Sequence, residues 1–284
     1  MVYRFGRREY DFAVRTHVMG ILNVTPDSFS DGGQFLDPVR AVERGLAMVA
    51  DGVDFIDVGG ESTRPRGTAY GQGAEPVSVE EELHRVIPVV RGLAAQTDVP
   101  ISIDTSKSVV AREALHAGAQ IVNDVSGLEA DDGMPGVVAD AGASVVVMHM
   151  RGTPRTMQQQ TRYDDLFGEI RAALAMAAAK ARDAGIVQVI IDPGIGFAKC
   201  FQDNLRLMSG LREFHSLGCP VLVGPSRKAF IGEVLGLPVD DRLEGTIGAA
   251  VAAAMWGAHI VRVHDVKPVC RALKVADAIY HAHG

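Results

Sequence analysis

A chain of 284 residues that is 47 % apolar and 22 % charged is long enough to bury its own core and has the balance of a soluble globular enzyme. Its formal charge of −7 argues against general binding to nucleic acid or anionic membranes, while leaving room for a local basic pocket. No apolar run approaches the roughly 20 residues of a membrane span. The opening MVYRFGRREYDF lacks the apolar stretch of a signal peptide, so the expected location is the cytoplasm.

In chain order, residues 1–16 read as a short hairpin turning near Gly6 to Arg8. Eight apolar runs follow: HVMGILN (17–23), VDFIDVGGE (53–61), VPISIDT (99–105), QIVNDVSG (120–127), SVVVMH (144–149), QVIIDPG (188–194), PVLVGPSRK (220–228) and HIVRVHD (259–265). Helical spacing fills the gaps. Residues 38–51 carry Val39, Val42, Leu46 and Val49 before Gly52. Residues 78–95 open with Ser78 and Glu81, a capping-box pattern. Residues 164–184 align Leu166, Ile170, Leu174 and Ala178. The strands lack polar alternation, as expected when both faces are buried. Eight strand–helix units predict an α/β fold, a (β/α)8 TIM barrel. One domain spans 1–284, and the 1–16 hairpin covers the bottom of the barrel. A doubly wound open sheet is the alternative, but no GxGxxG follows the first strand. Cys200, Cys219 and Cys270 are widely spaced and read as structural thiols.

Nearly every run ends in a polar residue, and barrels of this class keep their chemistry at the C-terminal mouth. Asn23, Glu61, Thr63, Asp104, Asn123, Asp192, Lys228, Arg262 and His264 therefore converge as candidates for one pocket. Asp104 and Asp192, with Asn123, suit a planar heterocycle bearing an amino group and a ring N–H. Arg227, Lys228, Arg262 and His264 suit phosphate oxygens. Asn23 offers one hard oxygen to magnesium. Blander roles compete. Asp104 is a possible N-cap, Asp192 a turn former before Pro193 and Gly194, and Arg227 and Lys228 a solvated face. His264 and Asp265 could cap a helix near 268, and His149 could simply line the mouth. Three connections, 24–38, 59–77 and 149–163, are long or Gly/Pro-rich, and the first two are candidate lids.

MGILNVTPDSFSDGG (19–33), IDVGGESTRP (56–65), SIDT (102–105), VNDVSG (122–127), DPGIGFAK (192–199), GPSRK (224–228) and RVHDV (262–266) together resemble the dihydropteroate synthase family, in order and spacing. That resemblance implies a transferase that joins 6-hydroxymethyl-7,8-dihydropterin diphosphate to para-aminobenzoate, giving 7,8-dihydropteroate and pyrophosphate. It implies that Asp104, Asn123, Asp192 and Lys228 bind the pterin. Arg262, His264 and Asn23 would bind the diphosphate, with Mg2+ on Asn23. Phe29, Thr63, Arg64 and Pro65 would shape the aminobenzoate side. By the same resemblance Asp104, Asp192, Lys228 and Arg262 would form the catalytic set. A homodimer through the last helices, competition by sulfonamides and pterin-first binding complete the expectation. Two features depart from the family pattern: the long RGTAYGQGA stretch after STRP, and Ala229 after SRK. The competing functions are a pterin-dependent methyltransferase barrel and a non-catalytic pterin-binding paralogue.

Overall fold

The structure, a computed structural model, describes residues 1–25, 37–62 and 76–282. Phe29, Thr63, Arg64 and Pro65, most of both candidate lids and the RGTAYGQGA stretch lie outside the described residues. The chain begins with an antiparallel hairpin, β1 (Val2–Phe5) and β2 (Arg8–Asp11). Eight parallel strands follow: β3 (His17–Asn23), β4 (Phe55–Gly59), β5 (Ile101–Asp104), β6 (Ile121–Asp124), β7 (Ser144–Met148), β8 (Val189–Asp192), β9 (Leu222–Val223) and β10 (Ile260–Val263). Their order in the sheet is β8-β7-β6-β5-β4-β3-β10-β9. A parallel bridge between Ile191 and Val221 links the two outer strands, so the sheet closes into the predicted barrel.

Helices α1 (Pro38–Ala50), α2 (Val79–Ala94), α3 (Ser108–His116), α4 (Met134–Asp140), α5 (Leu166–Asp183), α6 (Phe201–Ser209), α7 (Ala229–Leu235), α8 (Leu243–Met255) and α9 (Val266–His281) lie between and after the strands. The Asp37 carboxylate caps α1, and Ser78 Oγ accepts from Glu81 N–H at 3.2 Å to start α2. Only half of the capping box forms there, because the Glu81 carboxylate accepts from Arg85 instead. The last helix starts at Val266 rather than near 268. Asp265 holds its N-cap position but makes no side-chain cap bond.

The run 220–228 contributes only two strand residues. Pro220 has no N–H for a ladder, and Gly224 and Pro225 end the strand on its other side. The barrel is therefore pinned on that side by few bonds, among them Ile191 N–H to the Pro220 carbonyl at 3.0 Å.

The barrel interior changes character along its axis. At the bottom, Met19, Phe55, Ile121, Val146, Ile190, Leu222 and Ile260 form one apolar layer with Phe5, Tyr10 and Phe12 of the hairpin. The Phe5 ring lies edge-on to Phe55 with centroids 5.3 Å apart. Tyr10 and Tyr3 donate their hydroxyls to the carbonyls of Asp54 and Val189. Tyr10 is buried and Tyr3 half-buried, and the polar tip of each finds a partner. The hairpin seals the bottom end, as the sequence predicted, and leaves the mouth for ligands. Phe5→Ala is expected to cost about 3–5 kcal/mol of stability in denaturant unfolding while leaving ligand affinity at the mouth unchanged.

Candidate active site

Above the apolar layer the barrel interior turns polar. Asp57, on β4, is fully buried. Its Oδ2 accepts from Arg262 Nε at 2.5 Å and from Asn123 Nδ2 at 3.0 Å. The Arg262 Nη2 reaches across to Asp104 Oδ2 at 2.7 Å. One guanidinium from β10 thus ties together carboxylates from β4 and β5 and, through Asp57, an amide from β6. Asp192, at the tip of β8, accepts from the Gly194 N–H at 2.7 Å, so its turn-forming role is real, and it uses one of the two oxygens. Gly194 has φ +75°, and a Cβ there would lie 2.0 Å from the His149 carbonyl, so only glycine fits this turn.

A cavity of about 530 Å³ opens at the mouth, lined by Asn23, Asp104, Phe197, Lys228, Arg262 and His264 among others. Lys228 Nζ stands 4.1 Å from the centroid of the Phe197 ring. His264 Nδ1 lies 3.0 Å from Ser226 Oγ. Asn23 is exposed at the end of β3. The structure therefore brings Asn23, Asp104, Asn123, Asp192, Lys228, Arg262 and His264 to one end of the barrel.

Two candidate tips play different parts from those expected. Arg227 is held by Asp265 through two bonds of 2.9 and 3.1 Å, which largely cancels its charge as a phosphate ligand. Glu61 accepts from Lys107 Nζ and from Val77 N–H, and Lys107 also pairs with the fully buried Glu82. Glu61 and Val77 flank residues 63–75, so this cluster ties the two ends of that segment together.

A family model described as pterin binding enzyme matches residues 19–264. The Escherichia coli dihydropteroate synthase is 48 % identical over 268 residues, covering 94 % of this chain and 92 % of that one. The Synechocystis dihydropteroate synthase is 48 % identical over 278 residues, covering 97 % and 94 %. The chain belongs to the dihydropteroate synthase family. A Yersinia pestis dihydropteroate synthase solved with a sulfonamide drug superposes with a TM-score of 0.91 at 42 % identity, covering 99 % of this chain and all of that one. A Xanthomonas albilineans dihydropteroate synthase with 4-aminobenzoic acid gives a TM-score of 0.87 at 44 % identity, covering 97 % and 96 %. The chain is accordingly an enzyme of a transferase family.

The electrostatics of this synthase-family pocket follow from its burial. Burial pushes the Asp104 carboxyl up, against the pull of Arg262 and with help from the nearby Asp57. Burial raises Asp192 to about 6, opposed by the Gly194 N–H, Lys228 and Lys199. Burial lowers Lys228 to about 8, opposed by Asp192. Acids and bases are thus drawn toward the same range, as is common in sites that move charge.

Sequence reasoning missed two residues. Asp57 sits inside the motif IDVGGE but four residues short of the run's end at Glu61, so strand-tip logic passed over it. Lys199 ends DPGIGFAK, and nothing in its spacing says that it folds inward. Yet Lys199 is buried, and its Nζ donates to the Phe197 carbonyl at 2.8 Å and lies 3.0 Å from His149 Nδ1. Burial lowers Lys199 to about 7 and His149 to about 3, with Lys199 adding to the effect on His149. His149 is therefore a neutral acceptor for Lys199. Lys199 anchors the turn that presents Phe197 to Lys228.

Asp57→Ala would leave Arg262 and Asn123 without their shared acceptor. Removing one partner of a buried ion pair costs about 3–5 kcal/mol, and that loss is expected in denaturant unfolding. Asp57→Asn keeps the shape and one acceptor oxygen, so it should recover part of the stability.

Proposed function

We propose that this pocket joins 6-hydroxymethyl-7,8-dihydropterin diphosphate to para-aminobenzoate and releases pyrophosphate, the reaction of the family to which the chain belongs. The observation that carries this reading is the sharing of Arg262 between Asp57 and Asp104, with Lys228 and His264 lining the same cavity at the mouth. It places carboxylate acceptors for a nitrogen-rich ring next to cations for a leaving diphosphate. In the reaction the CH2–O bond breaks and a C–N bond forms. The amine gives up one proton, and pyrophosphate carries away the electron pair of the broken bond.

Asp104 and Asp192 accept from the ring N–H and amino groups. Asn123, fixed through its Nδ2 on Asp57, keeps an oxygen for the same ring edge. The guanidinium has five N–H donors. Arg262 spends two of them on Asp57 and Asp104, which leaves others for phosphate oxygens. Lys228 and His264 complete the cationic and donor side. The carboxyl oxygens of Asp104 and Asp57 favour positive charge on the pterin as the C–O bond weakens, and the preformed donors stabilise the departing anion. The arylamine is a competent nucleophile, so the reaction needs no activated serine or cysteine.

Among the described residues, no group of three or more His, Cys, Asp or Glu side chains forms a metal cage. An exposed asparagine oxygen beside arginine and histidine fits only an ion that brings its other oxygens with it, which is how magnesium binds with phosphates. The Asn23 oxygen would hold it, and the ion would add charge neutralisation at the diphosphate. Phe29, Thr63, Arg64 and Pro65 are our assignments for the aminobenzoate side.

No helix among the described residues is long and apolar enough to cross a membrane. Cys200, Cys219 and Cys270 are free thiols, which fits a reducing compartment, and we place the enzyme in the cytoplasm. Met255, Trp256, Val275, Ile279 and Tyr280, at the end of α8 and on α9, are exposed. We assign this apolar surface to a homodimer, so sedimentation should give twice the chain mass of 30.2 kDa.

Pyrophosphate release that requires both the pterin diphosphate and para-aminobenzoate tests the reaction. Release at the same rate without the amine would replace it with simple hydrolysis. Asp192 supplies a pH test. Its folded pKa is raised above the ordinary carboxylate value, to about 6, so the anion is disfavoured in the free protein. Pterin needs the anion as acceptor. The Asp192 share of the affinity should therefore be lost as pH drops through about 6, separately from a loss at higher pH as Lys228 deprotonates near 8, and calorimetry should show the low-pH step reduced in Asp192→Asn. By the same sign, the raised pKa stabilises the free fold most below pH 4, and that contribution fades as pH rises toward 6.

A further inference from the structure

Ser226 lies in the turn after β9, between Pro225 and Arg227. The turn is rigid. Arg227 sits at φ +57°, its N–H donates to Thr246 Oγ1 at 3.0 Å, and Lys228 N–H donates to the Pro225 carbonyl at 3.2 Å. Ser226 is buried, and both contacts of its Oγ are with one residue. The backbone N–H of His264 donates to Oγ at 3.2 Å, and Oγ lies 3.0 Å from His264 Nδ1.

A hydroxyl has one hydrogen and two lone pairs. One lone pair of Ser226 is taken by the His264 backbone N–H. Its hydrogen has one acceptor within reach among the described residues, which is Nδ1. Burial lowers the His264 pKa to about 4, aided by Arg262, Arg227 and Lys228 and opposed by Asp265. The ring is thus neutral near pH 7 and carries a single proton. With Nδ1 accepting, that proton belongs on Nε2, because the tautomer follows the hydrogen bond made by the other nitrogen. His264 lines the mouth cavity, and Nε2 has no partner among the described residues.

We propose that Ser226 is a positioning residue that fixes His264 as its Nε2–H tautomer, so that the ring donates a hydrogen bond to a diphosphate oxygen. This rests on the assignment of His264 to the diphosphate. The opposite tautomer would turn a lone pair toward an anionic oxygen and repel it. A neutral donor also grips the phosphate without adding a third full cation beside Lys228 and Arg262, which eases departure of the product.

The experiment is long-range 15N–1H correlation of ring-labelled histidines at pH 7 in the wild-type protein, Ser226→Ala and Ser226→Thr, with His264→Phe identifying the signals. Each protein is also titrated calorimetrically with inorganic pyrophosphate and magnesium. The wild type should show the Nε2–H pattern for His264, Ser226→Ala a mixture with the Nδ1–H form, and Ser226→Thr the wild-type pattern. Pyrophosphate should bind about ten-fold more weakly to Ser226→Ala, the size of one lost hydrogen bond, and Ser226→Thr should recover most of it. In steady state, kcat/KM for the pterin diphosphate should fall in Ser226→Ala with KM for para-aminobenzoate unchanged. An Nδ1–H pattern in the wild type, or an Nε2–H pattern that persists in Ser226→Ala, would overturn the proposal. If His264→Phe binds pyrophosphate as tightly as the wild type, the diphosphate assignment fails, and the tautomer loses its stated purpose even where the spectra agree.

Discussion

A buried guanidinium organises the functional half of this barrel. Arg262 projects from β10 into the interior, where Asp57 and Asp104 both bind it. Two buried carboxyl groups that share one guanidinium are each given a donor they would otherwise lack in the interior. Buried ion pairs contribute little net stability compared with apolar packing. Their effect here is geometric. A single planar fork fixes the relative positions of β4, β5 and β10, and Asn123 on β6 is tied in through Asp57. The carboxylates at the mouth are thereby set before any ligand arrives.

That polar layer is possible because the other end of the barrel is sealed. Phe5, Tyr10 and Phe12 of the hairpin close the apolar bottom layer around Phe55 and Met19. A TIM barrel filled throughout by branched aliphatics would be a packed core. Here the apolar part is concentrated at the bottom, and the hairpin thickens it from below. The upper interior is free to hold charge and ligand. Stability and chemistry are separated along one axis.

Around this frame cationic side chains anchor the loops, through carboxylates or a backbone carbonyl. Lys199 holds the turn behind Phe197, Asp265 holds Arg227, and Lys107 ties Glu61 to Glu82. Several cations at the mouth are thereby assigned to structure. Of the residues read from the sequence as phosphate ligands, Arg227, Lys228, Arg262 and His264 all line the cavity, but Arg227 is paired with Asp265. This division explains how a protein of net charge −7 presents a local basic rim without a broad basic surface.

The eight apolar runs, their polar tips and the seven ordered motifs determined the barrel, its mouth and most of the pocket, because strand burial and C-terminal tips are local properties of the chain. Asp104, Asn123, Asp192, Arg262 and His264 stand at or beside a strand end, and Lys228 follows β9 at the start of α7, so their convergence was legible. Asp57 was not, because its depth inside the barrel depends on register with Ile21 and Ser102, and register is not written in one strand. Lys199, the Arg227–Asp265 pair and the Glu61–Lys107–Glu82 cluster were hidden for a related reason, since each depends on which way a side chain leaves a turn and what neighbour meets it there. The sequence by itself determined which chemical groups the mouth would carry. Only the tertiary structure decided which of them are spent on one another and which are left to face a substrate, because a charge shows its partner only when distant strands are brought within hydrogen-bond reach.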